Sequence, residues 1–166
     1  LDEVIEPRAT QEEMTNFIET ELTESLKGLP TRTTQFGRFD KGLAYTILMK
    51  YYMHEKNWAK AEECGRELLK AEYGYGLMDR YADIFTLENE GNKEIIFACT
   101  EERGTNLQLW HDHALPGNYP TKNASIQKWD GYKVPWPFYR TFEEGDDRLS
   151  VLVGEYVGTD GVLFNE

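Results

Sequence analysis

Two adjacent stretches of apolar residues at helical spacing constrain the fold of this chain more than any other feature. In the first stretch the apolar residues recur at offsets of 0, 3, 4, 7 and 8: Ala44, Ile47, Leu48, Tyr51 and Tyr52. After the break HEKN, the second stretch has offsets of 0, 3, 7, 10 and 11: Trp58, Ala61, Gly65, Leu68 and Leu69. Each stretch predicts a helix with one apolar face. The short break between them predicts a helical hairpin.

Small residues on these faces favour close antiparallel packing of the two helices. Ala44, Ala61 and Gly65 face large side chains, which lets the helix axes approach. The order of small residue, tyrosine-rich end and WxxA start resembles a tetratricopeptide-type unit. One such hairpin cannot bury its own apolar face and needs stacked neighbours. We expect Trp58, which opens the second face, to be buried between the hairpin helices.

A further helix is predicted before the hairpin. Thr10 and Glu13 have the spacing of a capping box, and four apolar residues follow at offsets of 0, 3, 4 and 8: Met14, Phe17, Ile18 and Leu22. Gly28 and then Pro30 are expected to end this helix. Residues 10–72 are therefore predicted to be the helical, tetratricopeptide-like part of the chain.

Residues 73–166 are predicted to be loop-rich, with a few short elements. The segment NKEIIFACT (92–100) predicts one short strand or an extended buried segment, and residues 101–144 have no stable period. A short helix over 138–143 and the strand-like LSVLVGEYVG follow. The predicted fold is mainly α: a tetratricopeptide-like hairpin (an alpha-alpha superhelix), then a long aromatic-rich irregular region with short strands. We interpret residues 1–166 as one partial domain of a longer protein.

The charge balance excludes several classes of partner. The chain of 166 residues carries 18 Lys and Arg against 30 Asp and Glu, a formal charge of −12. Nucleic-acid backbones and anionic membrane surfaces are bound by clustered cations, so we expect neither as a partner.

Cys64 and Cys99 are too few for a disulfide framework and lack the CxxC spacing of a zinc site.

Aromatic residues are dense in the irregular region. They are Trp110, Tyr119, Trp129, Tyr132, Trp136, Phe138, Tyr139 and Phe142, with the polar companions Asn106, Gln108, Asp112, Asn118, Asn123, Gln127 and Asp130. Sugar rings stack their C–H faces on indole and phenol rings, while amides and carboxylates bond the hydroxyls. The alternative is that these rings fill a core beneath a long loop.

We predict a stacking surface for ligand in this region. Among these rings, Trp129 and Trp136 are the ones we most expect to be exposed, since Gly131 and the prolines at 135 and 137 hold the backbone extended. Tyr132 and Trp110 complete the predicted surface, and Asp130 and Asn123 are expected to bond hydroxyls. Phe138 and Phe142, one helical turn apart, are instead expected to be core residues.

Metal and catalytic chemistry have weaker support in the sequence. His111 and His113 form an HxH pair without a third ligand at recognisable spacing, so we predict no metal and no cofactor. The acidic run at 143–147 lacks the ligand order of an EF-hand, and Arg148 can pair with one of its carboxylates. A glycoside hydrolase needs two positioned carboxylates, but with 30 acidic residues spacing alone cannot identify them.

Several motifs together resemble the SusD/RagB family of surface glycan-binding lipoproteins. They are T-x-x-E-x-x-x-F-I-x-x-E-L from Thr10, Leu29-Pro30, GRFDKGLAYTILMKYYMHEKNWAKAEECGRELL, YGL with YADIF, NKEIIF, and WDGYKVPWPFY with GDDR. They occur in the family's order over nearly the whole chain. By this resemblance the chain is an internal part of a full member, without the lipidated N-terminus.

The resemblance implies a non-enzymatic function. Family members lie on the outer face of the outer membrane of Bacteroidetes-type bacteria, where they capture oligosaccharides for a TonB-dependent transporter of the SusC type. It further implies that tetratricopeptide-like pairs form the scaffold, that irregular loops carry the sugar platform, and that a lipid anchor outside this chain is the membrane contact. A helical-repeat module that binds a peptide or protein partner, and a glycoside hydrolase, remain the alternatives.

Overall fold

The computed structural model of the chain describes residues 7–101, 110–123 and 125–165, and its architecture is mainly helical, which confirms the predicted fold class. The α-helices are α1 (Gln11–Gly28), α2 (Lys41–His54), α3 (Trp58–Leu68), α4 (Trp110–Ala114) and α5 (Trp136–Tyr139). Single 3-10 turns occupy Ala71–Tyr73, Tyr81–Phe85, Leu87–Asn89 and Asp147–Val151. The two short strands are β1 (Glu155–Val157) and β2 (Leu163–Asn165).

The chain divides into two compact units. The helical unit comprises the residues up to Leu77 together with Gly91–Thr100. The loop-rich unit comprises Met78–Glu90 and the residues from Glu101 onward. The segment Gly91–Thr100 thus packs with the helices although it follows a stretch of the other unit in the sequence.

The start of α1 has the capping box predicted from Thr10 and Glu13. The Glu13 amide donates to Thr10 Oγ1 at 3.2 Å, and the Thr10 amide donates to Glu13 Oε2 at 2.8 Å. The Thr10 hydroxyl also donates to Glu13 Oε2 at 2.8 Å. The two bonds that this carboxylate accepts, first from the Thr10 amide and then from the hydroxyl, lower the pKa of the Glu13 carboxyl. Leu29 caps the other end by donating to the Ser25 carbonyl, and Pro30 follows. Both predicted ends of the helix are confirmed.

The core of the helical unit lies between α2 and α3. Its buried residues are Leu48, Tyr52, Ala61 and Cys64, with half-buried Leu22, Leu26, Tyr45, Met49 and Tyr51 packed around them. Helix α1 adds polar links to this core, since Tyr51 Oη donates to Thr15 Oγ1 at 2.7 Å and Lys60 Nζ lies 2.9 Å from Glu19 Oε2. The predicted antiparallel hairpin is therefore the main packed element of the unit.

Trp58 is not buried, so the prediction for this residue was wrong. Its side chain is 62% exposed. Trp58 is the first residue of α3, directly after the capping residue Asn57. Because Cα–Cβ bonds tilt toward the N-terminus of a helix, a side chain at the first position projects past the helix end. The spacing of apolar residues does not show whether the partner helix extends far enough to cover the first residue of α3.

Three tyrosines of the helical unit pack together near the start of α2. Tyr73 is fully buried, meets Tyr45 edge-on at 6.4 Å and stacks on Tyr75 at 6.0 Å between ring centroids. The Arg32 guanidinium lies 4.9 Å from the Tyr75 ring centre. Burial raises the pKa of the Tyr73 hydroxyl. Tyr75 Oη would lie 2.0 Å from a Cβ added at Gly42, so any larger residue in this position of α2 would have to displace the Tyr75 ring.

Residues 92–100 form no strand, which corrects the strand interpretation of NKEIIFACT. They run through turns into half-buried irregular backbone. The Lys93 carbonyl accepts from the Gly76 amide at 3.1 Å, and Phe97 packs against Phe39 at 5.7 Å. These are separate contacts between the segment and the rest of the helical unit. They do not form the regular series of inter-strand hydrogen bonds that defines a β-strand.

The end of the loop-rich unit is a small antiparallel hairpin. Strands β1 and β2 pair with Tyr156 opposite Phe164, and the two rings stack at 5.3 Å. Only Glu155–Val157 of the predicted strand-like segment is a strand, because a 3-10 turn occupies Asp147–Val151 before it. Helix α5 begins after Pro135, two residues earlier than the helix predicted at 138–143. A proline in the first turn of a helix loses no internal hydrogen bond.

Candidate ligand-binding site

Helix α4 and residues 129–132 are held together by main-chain hydrogen bonds. The Trp129 amide donates to the Asp112 carbonyl at 2.7 Å, and the Asp130 amide donates to the Leu115 carbonyl at 3.0 Å. The His113 carbonyl accepts from Gly131 at 2.6 Å and from Tyr132 at 3.1 Å. The last carbonyls of a helix lack partners within it, and here the amides of 129–132 supply them.

Gly131 permits this close approach of backbone to backbone. A Cβ added at Gly131 would lie 3.2 Å from the His113 carbonyl oxygen, tighter than almost all observed Cβ contacts. Its neighbour Asp130 has a φ of 53°, in the left-handed region that Asp tolerates better than most residues. A residue in the left-handed conformation and a glycine packed closely on backbone therefore lie between two aromatic residues, Trp129 and Tyr132.

These backbone contacts assemble four rings, which we call the ring cluster: Trp110, His113, Trp129 and Tyr132. Trp110 and Tyr132 stack at 4.8 Å with 21° between their planes. His113 meets Trp129 edge-on at 4.5 Å and Tyr132 at 5.5 Å. Trp110, Tyr132 and Trp129 are nevertheless 58%, 52% and 46% exposed. The cluster fixes large rings relative to one another while it leaves about half of each open.

Trp136 belongs to a second group of rings. It is 53% exposed and packs edge-on against Tyr139 at 5.5 Å within α5. Phe138 contacts Phe142 at 5.4 Å but is itself exposed, so the expectation that Phe138 is a core residue was wrong. The four-residue helix α5 covers only part of each ring that it carries. Three of the four rings predicted for the ligand surface thus share one cluster, and Trp136 packs on α5.

The two predicted polar contacts have local partners. Asp130 Oδ2 lies 3.3 Å from Lys133 Nζ, and Asn123 Oδ1 accepts from the Ser125 amide at 3.0 Å. Both residues are exposed. The indole nitrogen of Trp129 donates to Gln127 Oε1 at 3.0 Å, which orients that ring. The predicted companions Asn106 and Gln108 lie outside the described residues.

His113 is the residue of this site that sequence reasoning missed, because it was considered only as a metal ligand. It lies three residues after Trp110 on α4, so both side chains share one helix face. That spacing was the available signal. The side chain of His111 lies outside the described part of the chain. Among the described residues, no three His, Cys, Asp or Glu side chains lie close enough to hold a metal ion.

Within the acidic run, Asp146 forms a two-pronged pair with Arg148. The guanidinium Nε lies 2.9 Å from Asp146 Oδ1, and the hydrogen bonds from Arg148 lower the pKa of the Asp146 carboxyl. The carboxyl of Asp147 accepts from the Tyr81 amide at 3.2 Å. The carboxylates of Asp146 and Asp147 therefore both have partners within the protein. The pair with Arg148 is the alternative to a calcium site that the sequence offered.

A crystal structure of a SusD-like protein from Bacteroides fragilis matches with a TM-score of 0.62 at 24% sequence identity. The match covers 79% of this chain and 28% of the other, so this chain spans under a third of the length of the protein that it matches. The likeness shows a SusD-like fold.

The remaining comparisons add no family assignment. No family model matches the chain, and no curated protein matches it. None of the helices in the described ranges is long and apolar enough to cross a membrane.

Proposed function

We propose that this chain is part of a non-enzymatic protein that captures oligosaccharides at the bacterial cell surface. The ring cluster of Trp110, His113, Trp129 and Tyr132 is the observation that carries the proposal. Its indole and phenol rings are half exposed although they contact one another. The SusD-like fold supports the same function, since it agrees with the family that the sequence motifs resemble.

The physical argument rests on preorganisation. Sugar rings offer flat C–H faces to aromatic rings, and a site whose rings are already oriented loses little side-chain entropy on binding. Main-chain hydrogen bonds to the Asp112, His113 and Leu115 carbonyls fix the segment that carries Trp129 and Tyr132. The carboxylate of Asp130, the residue after Trp129, is exposed and can bond hydroxyls beside the rings, and the amide of Asn123 is exposed in the same unit.

The wider role of the full protein follows from the same proposal. The captured glycan is delivered to a SusC-type TonB-dependent transporter, and a lipid anchor outside this chain holds the protein on the outer membrane. No hydrolytic step is part of this function. Prolonged incubation with diverse oligosaccharides should leave them intact by chromatography, and reproducible cleavage that is lost on mutating one carboxylate would contradict the non-enzymatic assignment.

The test removes rings singly and together. Trp129→Ala and Trp110→Ala should each weaken oligosaccharide binding in calorimetry by about 1–3 kcal/mol if the rings behave as interface hot spots. Trp136→Ala measures the second ring group in the same assay. Trp58→Ala is the matched control, because it removes an equally exposed indole from the helical unit.

Three outcomes separate the candidates. Loss of binding in the ring variants with an unchanged control supports the ring cluster as the site. Binding that survives the combined replacement of Trp110 and Trp129 by alanine places the site outside the ring cluster. Unfolding of Trp129→Ala or Trp110→Ala would favour a core role for the rings, and a peptide-binding helical-repeat module would then be the better description.

A further inference from the structure

The ring-bearing segment 110–140 differs in charge from the unit that contains it. It holds four cations, Lys122, Lys128, Lys133 and Arg140, against two carboxylates, so its formal charge is +2. The remaining residues of the loop-rich unit sum to −10, within a chain of −12. The aromatic surface therefore lies in a cationic part of an acidic unit.

Segment 110–140 also differs from the rest of the loop-rich unit in how many of its cations form ion pairs. In the rest of the loop-rich unit, both described arginines have carboxylate partners: Arg80 with Asp83 and Arg148 with Asp146. Within segment 110–140 Lys133 pairs with Asp130, but Lys122, Lys128 and Arg140 form no ion pair with any described residue. Three positive charges of this segment are thus left without an ion-pair partner among the described residues.

Their sequence positions tie these charges to the rings. Lys128 precedes Trp129, Lys133 follows Tyr132, and Arg140 caps α5 by donating its amide to the Trp136 carbonyl at 3.0 Å. At physiological ionic strength charges more than about 8 Å apart are largely screened. A ligand on the rings therefore meets these local cations before it meets the net negative charge of the chain.

We propose that the glycan bound by the ring cluster is anionic and carries carboxylate or sulfate groups. This inference rests on the proposed function and specifies its ligand class. The aromatic faces bind the sugar rings, while Lys128, the residue before Trp129, and Arg140, at the end of the helix that carries Trp136, receive the acidic substituents. Guanidinium and ammonium groups bond carboxylate and sulfate oxygens through charge-assisted hydrogen bonds. A neutral glycan would leave those cations without partners.

The experiment compares ligands that differ only in charge. Oligogalacturonate and its methyl ester form one pair, and dextran sulfate and dextran form the other, so that carboxylate and sulfate are distinguished. With the 166-residue chain at low salt, the anionic member of at least one pair should bind about fivefold tighter or more, and the preference should shrink as salt screens it.

Charge-removing variants then locate the preference. Lys128→Gln with Arg140→Gln should reduce the anionic preference about two- to fivefold per cation. Lys50→Gln is the control, since Lys50 is an exposed cation of α2 with no ion pair among the described residues. An equal loss in Lys50→Gln would overturn the inference, because it would show a general charge effect.

The remaining outcomes are also decisive. Equal or tighter binding of the neutral members would overturn the anionic assignment while the proposed function stands. Absence of binding to all four glycans would overturn both. Tighter binding of an oligothymidylate than of either anionic glycan would overturn the glycan class, since rings with cations also suit single-stranded nucleic acid.

Discussion

The helical unit and the loop-rich unit use their aromatic residues in opposite ways. In the helical unit Tyr52 and Tyr73 are buried and help to close the packing around α2 and α3. In the loop-rich unit Trp110 stacks on Tyr132 and Trp129 packs on His113, yet these three large rings stay about half exposed. The first arrangement removes apolar area from water and stabilises the fold. The second keeps apolar area accessible, which is the property that a ligand surface needs.

The largest expected effect tests the packed side of this comparison. Leu48→Ala deletes a side chain at the centre of the α2–α3 core and should lower the free energy of unfolding by about 2–5 kcal/mol. Chemical denaturation monitored by circular dichroism measures it. Leu69→Ala is the matched control, because Leu69 is 84% exposed. Equal destabilisation by the two variants would contradict the assigned core.

The next effect concerns the contact between Gly42 and Tyr75. Gly42→Ala should cost about 1–3 kcal/mol, because the new Cβ overlaps the tyrosine hydroxyl and overpacks the site. The buried Tyr75 Oη has no hydrogen-bond partner among the described residues. Tyr75→Phe alone should therefore be nearly neutral. A double-mutant cycle should show that Tyr75→Phe restores part of the loss, and strict additivity would argue against the contact.

A smaller effect is expected at the start of α1. Thr10→Ala removes the capping hydroxyl and should cost about 1 kcal/mol in thermal or chemical unfolding. The folded-state pKa of Glu13 is lowered, so its share of the cap is present above the unfolded pKa of a glutamate, about 4.3. That share is lost as the pH falls through the lower folded pKa. The difference between Thr10→Ala and the parent should shrink over this acidic range, and a constant difference would contradict the coupling.

The smallest effect sharpens the comparison of exposed indoles. Trp58→Ala and Trp129→Ala should each change the melting temperature little, since surface substitutions mostly fall within about 0.5 kcal/mol. The two variants should differ only in glycan binding, which Trp129→Ala alone weakens. A large drop in melting temperature for Trp58→Ala would restore the original expectation that this residue belongs to the core.

Much of the helical unit is predictable from its sequence because the determinants are local. The capping box of Thr10 and Glu13, the end at Leu29-Pro30 and the apolar spacing of α2 each act within a few residues. The error at Trp58 arose where spacing was extended to the first turn of a helix. Whether Trp58 is buried depends on where the neighbouring helix lies, and the spacing of apolar residues does not describe that position.

The candidate site was predictable in composition but not in arrangement. The density of rings, with Gly131 and the prolines beside them, is visible in the sequence and indicated Trp129 and Tyr132. The association of these residues with α4 depends on hydrogen bonds between residues about 17–19 positions apart, such as Trp129 to Asp112 and Tyr132 to His113. Such bonds involve main-chain atoms, which leave no signature in side-chain patterns. The role of His113 was missed for another reason, because this residue was considered only as a metal ligand.

The hydrogen bonds that hold segment 129–132 to α4 have a consequence for how this surface can evolve. Each of them joins a main-chain amide to a main-chain carbonyl, so it survives a change of side chain at Trp129, Asp130 or Tyr132. Gly131 is restricted by the proximity of the His113 carbonyl, and Asp130 is restricted by its left-handed φ of 53°. Trp129 and Tyr132 can therefore be exchanged for other side chains, and with them the ligand can change, while the backbone that presents them stays the same.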